Sequence, residues 1–286
     1  MIHPADKVDV VIVNYNGGEL LLQALEAVLA SSLAVETVVV DNASADDSIT
    51  ALKAAFPQVT VIQNEQNLGF AKAANQGLLA GTQAYVLLLN PDCLLQPDTL
   101  EQMLQEFQAH PEAGMAGCRI LNPDGSEQRG CRRQLPTLGS GVGKALGRRQ
   151  GMDLHLQPLP ETSQEVEAIS GAFMLLRREA LAEVGLLDEG YFMHCEDLDW
   201  CRRFLDAGWK IRFVPHVEVV HHQGHCSKAA PLRVLWHKHR GMARYYHKFL
   251  AQQSGLLKSW VVVPAIYARF LLLAVRDGLH GLMRKS

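Results

Sequence analysis

The chain opens on an unbroken β-branched run, Val8 to Asn14 (VDVVIVN), followed by apolar residues at helical spacing from Leu20 to Ala30. The alternation then repeats. TVVVD over Thr37 to Asp41 reads as a buried strand, Ser48 to Phe56 as a helix, Val59 to Gln63 as a strand, Phe70 to Ala80 as a helix and AYVLLLN over Ala84 to Asn90 as a fourth strand. Strands that are apolar throughout belong in a sheet covered on both faces, and strand–helix–strand units cross over right-handed. The expected fold is therefore α/β: a Rossmann-like, mainly parallel central sheet flanked by helices, with ligands at the carboxyl ends of the strands.

From about Gly117 to Glu165 the pattern changes to NPDGS, LPT, GSGVGK and PLPE, which reads as loops and short strands. The tract Gly139 to Lys144 fails as a phosphate loop, because Leu138 stands where that motif needs Gly and Ala145 where it needs Ser or Thr. Periodic order returns with Ala168 to Arg177 as a strand and Arg178 to Val184 and Glu196 to Ala207 as helices. Trp209 to Pro215 and Val217 to His221 read as closing strands.

Composition narrows the function. A chain of 286 residues, 48% hydrophobic and 20% charged, can bury a sizeable core. A net charge of -3 and the lack of a basic arm argue against nucleic acid as a partner. The six cysteines form no CxxC pair, so reduced thiols in a cytosolic setting are expected. The N-terminal stretch has neither a basic n-region nor a small-residue cleavage site, and no secretion signal is read there.

The predicted strand ends carry Asn14-Tyr15-Asn16, Asp41-Asn42, Asn64 and Asn90-Pro91-Asp92. Each alone is ordinary turn chemistry. Together they suit transfer of a glycosyl group from a nucleoside diphosphate, which needs a grip on the base, charge for the departing diphosphate and a general base. Asp41 can accept the ring N–H of a pyrimidine, with Asn14 to Asn16 framing the nucleoside. Asn67-Leu68-Gly69-Phe70 enters a helix whose free backbone donors face the same rim. Asp92 can anchor a hard divalent cation, Mg²⁺ or Mn²⁺, and His221 can complete that site. Cys195-Glu196-Asp197-Leu198-Asp199 crowds three carboxylates at a helix start, where like charges raise a pKa towards that of a general base. Acidic residues also favour the first helical turn for dipole reasons alone.

In order, VVIVNYN, VVVVDNASAD, NEQNLGFAKAANQG, LLLNPD, ILNPDGS, RRQLPT, SGAFMLLRREAL, GLLDEGYFMHCEDLDWCRR and VVHHQGHCS resemble the family-2 inverting glycosyltransferases of the GT-A fold. The similarity, over about residues 8 to 250, is greatest to the rhamnosyltransferase-like branch that builds bacterial surface polysaccharides. It implies Asp41 on the pyrimidine, Asn67, Gly69, Asn75 and Asn90 in the donor site, and Asp92 as metal ligand in a DxD whose first position is Asn90. It also implies Asp197 as base, His221 near the metal or diphosphate, and Gly224 and Ser227 in a flexible loop. The donor implied is dTDP-L-rhamnose or another dTDP- or UDP-sugar, and the acceptor a glycan or lipid-linked saccharide. No QxxRW motif follows Asp197, so a single sugar is added per reaction.

The resemblance divides the chain into residues 1–250, with a donor half (1–115) and an acceptor half (116–250), and a C-terminal amphipathic segment, 251–286. Pro264 and Arg269 break that segment's apolar run, a poor match to a membrane-spanning helix. Lys258, Arg269, Arg276, His280 and Arg284 fall at intervals of 11, 7, 4 and 4, on one helical stripe opposed by Trp260, Ile266, Phe270, Leu271 and Leu282. Such a helix can lie in an anionic membrane surface, placing the protein at the inner face of the cytoplasmic membrane, or pack on the catalytic domain or a second subunit of a homodimer. Three other readings are weaker. An oxidoreductase would need the G-x-G-x-x-G turn missing after the first strand, a glycoside hydrolase would leave Asp41 unused, and a degenerate scaffold would be free to lose Asp41, Asp92 and Asp197.

Overall fold

The computed structural model describes residues 7–137, 155–222, 231–254 and 256–283, without the side chains of 253–258 and 277–283. The tract from Gly139 to Lys144, Gly224, Cys226, Ser227 and Arg284 lie outside the described residues, as do the side chains of Lys258, His280 and Leu282.

The first third alternates as its periodicity demands: β1 (Val8–Asn14), α1 (Gly18–Leu29), β2 (Val35–Asp41), α2 (Ser48–Ala55), β3 (Thr60–Gln63), α3 (Phe70–Ala80) and β4 (Tyr85–Leu89). There follow β5 (Cys93–Leu94), α4 (Thr99–Ala109), β6 (Ala113–Leu121), β7 (Arg132–Arg133), β8 (Gln164–Glu165), β9 (Ala168–Ile169) and β10 (Phe173–Arg177). The chain closes with α5 (Arg178–Val184), α6 (Glu196–Asp206), β11 (Lys210–His221), α7 (Pro231–Tyr245), a π-helical turn (Tyr246–Leu250), α8 (Ala251–Ser254) and α9 (Leu256–Met283).

The main sheet runs β3-β2-β1-β4-β10-β6-β11-β5, with β8 alongside β11. The strands β3, β2, β1 and β4 are parallel, as are β6 and β11, whereas β10 is antiparallel to both of its neighbours. One apolar core fills both sides of this sheet, from Val8 to Leu250.

Three expectations change. The stretch read as loops from Gly117 onward begins inside β6, a nine-residue buried strand. Its pattern is muted because small residues are required there: a Cβ on Gly117 would lie 2.9 Å from Ile169, and one on Gly114 2.8 Å from Ala180. The run from Ala168 to Arg177 is two strands parted by Ser170-Gly171-Ala172. The two predicted closing strands are one, β11, whose register shifts between Val214 and Glu218 around Pro215, a residue that cannot donate to the ladder.

The C-terminal segment also departs from its reading. The helix α9 continues through Pro264, and its window Ser259–Arg276, with a mean hydropathy of 1.5, is long and apolar enough to cross a membrane by length and composition. Arg269 is not on a solvent-facing basic stripe, because its guanidinium donates to His239 Nε2 of α7 at 3.2 Å. Phe270 likewise faces α7, against Trp236 and His239. The exposed face of α9 is mainly apolar and carries Trp260, Val261, Leu271, Leu272 and Val275, with Arg276 of the expected stripe exposed beside them.

Candidate active site

β1 and β2 end side by side, with Asn14 opposite Asp41 and both residues buried. Asn14 Nδ2 lies 3.0 Å from Asp41 Oδ1, Ser44 Oγ and Ser48 Oγ, and Asn14 Oδ1 accepts from the Gly17 N–H at 3.1 Å. Ser44 Oγ donates to Asp41 Oδ1 at 2.6 Å, while Asp41 Oδ2 accepts only a longer bond from the Ser44 N–H at 3.3 Å. Oδ2 therefore keeps most of its accepting capacity. Asn14 braces the carboxylate from behind; its own amide is occupied inside the protein. Asn16, at φ 53°, ties its N–H to Ser44 Oγ at 2.9 Å and accepts from the Ala45 N–H at 2.7 Å. Tyr15, between them, is 37% exposed at the rim.

A second knot surrounds Asn42. Its Nδ2 donates to Asn67 Oδ1 at 3.0 Å and to the Gly69 carbonyl at 3.1 Å, and its Oδ1 accepts from the Leu68 N–H at 2.9 Å and Asn64 Nδ2 at 3.3 Å. Gly69 takes φ 87°, and a Cβ there would lie 2.6 Å from the Phe192 carbonyl oxygen, so only glycine fits. That carbonyl also accepts the Phe70 N–H at 2.6 Å. The helix entrance expected to offer free donors thus has its Phe70 donor committed to the Phe192 carbonyl. Asn75, deeper in α3, is spent the same way: its amide bonds the Leu187 backbone in both directions, at 2.9 and 3.0 Å, and reaches Glu189 at 3.1 Å.

The third group lies past β4. Pairing of β5 with the end of β11 puts His221 opposite Cys93, and His221 Nε2 is 3.1 Å from Asp92 Oδ1 and 3.3 Å from Asn90 Nδ2. His221 Nδ1 is 2.8 Å from Gln128 Oε1, and Gln128 Nε2 donates to the His221 carbonyl at 2.7 Å. A carboxamide oxygen only accepts, so Nδ1 carries the hydrogen, and Nε2 is the ring nitrogen that faces the Asp92 carboxylate. Nε2 and the carboxylate oxygen stand close enough for one cation to take both as ligands, with Gln128 as the outer partner that orients the ring. Cys93 is close by, but burial, reinforced by the Asp92 charge, pushes its thiol well up, and its Sγ points to the Ala172 carbonyl at 3.5 Å. The usable donors are one carboxylate oxygen and one imidazole nitrogen, which together with substrate phosphates suit Mg²⁺ or Mn²⁺ better than a thiolate-bound zinc. In a further grouping, Glu127, Cys131 and His155, the buried Arg132 and the Cys131 thiol already hold Glu127 Oε1.

The fourth group opens α6. His194 and Cys195 both take left-handed backbone conformations, at φ 66° and 71°. Two successive non-glycine residues there store strain of order 1–3 kcal/mol each, the kind found at functional turns. Asp197 Oδ2 lies 2.5 Å from Arg133 Nη2, and its Oδ1 accepts from the Leu198 N–H at 2.8 Å. Burial alone would raise the Asp197 carboxyl; the Arg133 guanidinium outweighs it and holds the group below the usual carboxylate range. The crowding expected to raise Asp197 acts on its neighbour instead. Glu196 is raised, first by burial and then by the Asp197 charge, and its Oε2 has no hydrogen-bond partner. Asp199 is structural, held by Arg203 at 2.7 Å, Lys248 at 2.7 Å and the Tyr191 hydroxyl at 3.1 Å.

The Ser170-Gly171-Ala172 turn joins the third and fourth groups. The Ala172 carbonyl accepts the Asn90 N–H at 2.9 Å, and a Cβ on Gly171 would lie 3.4 Å from Asp197 Cβ. Pattern reading of the sequence missed Ser44, Ser48, Gln128 and Arg133. Ser44 and Arg133 sit inside motifs already noticed, but nothing local marks them as partners of Asp41 and Asp197.

Residues 9–185 match glycosyl transferase family 2. The N-acetylglucosaminyl-diphospho-decaprenol L-rhamnosyltransferase of Mycobacterium tuberculosis is 32% identical, over 98% of this chain and 94% of that protein. The rhamnosyltransferase WbbL of Escherichia coli K12 is 27% identical, over 54% of this chain and 58% of that protein. Among solved structures, the mannosyltransferase PcManGT of Pyrobaculum calidifontis, in complex with GDP-Man and Mn²⁺, superimposes with a TM-score of 0.60 at 17% identity, over 98% of this chain and 82% of that one.

Proposed function

The chain belongs to glycosyl transferase family 2 and is a glycosyltransferase; from that premise we propose that it inverts the anomeric centre as it moves one L-rhamnosyl unit from dTDP-L-rhamnose to a lipid-linked diphosphate sugar, in cell-surface polysaccharide synthesis. The carrying observation is that the Asp92–His221 pair and Asp197 flank one short turn, Ser170-Gly171-Ala172. The L-rhamnosyl group and the diphospho-lipid acceptor are those in the name of the mycobacterial relative, which matches along nearly the whole chain.

In this reading Asp41 accepts the thymine ring N–H, a contact that uracil of a UDP-sugar would also satisfy, and Tyr15 lies against the nucleoside. Asp92 and His221 would hold the divalent cation, which when bound supplies positive charge at the departing diphosphate. Asp197, kept ionised by Arg133, takes the proton of the acceptor hydroxyl as that oxygen bonds to the anomeric carbon. The bond from that carbon to the diphosphate breaks on the opposite face, the nucleoside diphosphate leaves with the electron pair, and no covalent enzyme intermediate forms.

A peripheral position on the inner face of the cytoplasmic membrane fits the distribution of charge. Residues 226–286 hold eleven of the 27 Lys and Arg but one of the 30 Asp and Glu, a net of +10 against −13 for the residues before them. With the apolar outer face of α9, this is the composition that binds an anionic bilayer. Lying along the surface suits α9 better than crossing, because Arg269 is tied to His239, and Val262 and Val263 pack on the core.

The test is the thermal midpoint with dTDP, UDP, ADP and GDP, each with Mg²⁺, Mn²⁺ or EDTA, since a ligand of the folded state raises it. A metal-dependent rise with dTDP or UDP and none with ADP or GDP is expected. No rise with any of them would replace the enzyme by a non-catalytic scaffold of the same fold.

A further inference from the structure

The helix α7 and the turn after it carry five cations, and they divide in two. Arg244 and Lys248 are neutralised, at 2.8 and 2.9 Å from the Asp188 carboxylate. Arg233, Lys238 and Arg240 are exposed and form no ion pair among the described residues.

These three lie around the strained turn that leads to Asp197. Gly241 packs so closely that a Cβ would be 2.7 Å from the His194 carbonyl oxygen and 3.4 Å from Cys195 Sγ. At 100° per residue, Arg233 and Arg240 fall on one side of Gly241 and Lys238 on the other. Arg233 sits over the Phe192 ring at 5.1 Å, and His237 stacks on that ring at 4.2 Å. Lys238 is near enough to His194 to help burial lower its pKa, and Asp197 acts on the same ring in the opposite sense. His194 Nε2 and His237 Nδ1 are both buried without a hydrogen-bond partner. Unneutralised cations beside orphaned buried nitrogens mark a place where an anion with several acceptor oxygens belongs.

We propose that Arg233, Lys238 and Arg240, with His194, form the subsite for the diphosphate of a lipid-linked acceptor. The inference rests on the acceptor class given above and adds the residues that select it. The acceptor sugar then meets Asp197, and the lipid chain passes to the side of α7 where Trp236 and His239 support α9 and its exposed apolar face. A diphosphate gains charge-assisted bonds there that an uncharged aglycone cannot make.

The experiment compares two soluble acceptors with the same sugar: N-acetylglucosaminyl diphosphoryl citronellol and octyl N-acetylglucosaminide. With the full chain, Mn²⁺ and the donor that shifts its midpoint, kcat/KM should favour the diphosphate by about a hundredfold. Arg233→Gln combined with Lys238→Gln should cut that preference at least about tenfold, through KM, with partial recovery in Arg233→Lys. Arg202→Gln, which removes a cation paired with Asp206, should leave the preference alone. An unchanged preference in the double variant, or equal losses on both acceptors, would overturn the subsite. The nucleotide midpoint shift, read on the same samples, reports the transferase reading separately. If wild type shows no nucleotide shift, that reading falls, and direct binding of the diphosphate lipid still decides the subsite: binding weakened about tenfold in the double variant supports it, and unchanged or absent binding rejects it.

Discussion

The donor rim and the acceptor turn are both built from polar groups at the edge of one sheet, yet they are finished differently. Around Asn14, Asp41 and Asn42 nearly every donor has an acceptor inside the protein. From His194 to Asp197 the backbone is strained, two buried polar atoms lack partners, and a carboxyl is raised beside one that is lowered. A site that only holds a ligand can be complete before the ligand arrives. A site that does chemistry keeps groups whose demands are met only when substrate is present, and the surrounding fold bears the cost.

That contrast can be broken most sharply at Asp197. Asp197→Asn preserves shape and removes the carboxylate proposed as the base, so transfer should fall about 10²- to 10⁴-fold while the nucleotide-induced midpoint shift persists. Substantial residual transfer would take the base role away from Asp197; loss of the nucleotide shift would erase the division between the two regions.

The donor rim should respond in stability as well as binding. Asn14→Ala removes the amide bonded to Asp41 and leaves buried acceptors short of a donor, at about 1–3 kcal/mol. Urea unfolding should register that loss, together with a smaller nucleotide shift. Unchanged values for both would mean that Asn14 does not brace the cradle.

A pH dependence sharpens the acceptor side. Glu196 has a folded-state pKa raised above its unfolded value, so its stabilisation is full below the unfolded pKa and is lost as pH rises through the folded one. Glu196→Gln removes that titration. The variant's midpoint relative to wild type should therefore climb between about pH 5 and about pH 9, and a pH-independent difference would show that Glu196 is not held neutral by the fold.

Much of this was legible in the chain. β1, α3 and α5 lie where periodicity puts them, because apolar runs and helical spacing are local properties. The carboxyl ends of the strands could be located for the same reason. β6 was not legible: its alanines and glycines are chosen for what packs across from them, and Ile169 and Ala180 are distant in sequence. The continuity of α9 through Pro264 was equally hidden, because its support comes from Trp236 and His239 on another helix.

The sequence by itself determined the α/β order, the residue types at the strand ends and the charge contrast between residues 226–286 and the rest, since each is written in neighbouring positions. Tertiary structure decided the electrostatics. It placed Arg133 on Asp197, set Gln128 behind His221, and chose Glu196 rather than Asp197 as the raised carboxyl. Those outcomes depend on burial and on charges brought in from other elements, and a Coulomb interaction is set by distance in space, whatever the separation along the chain.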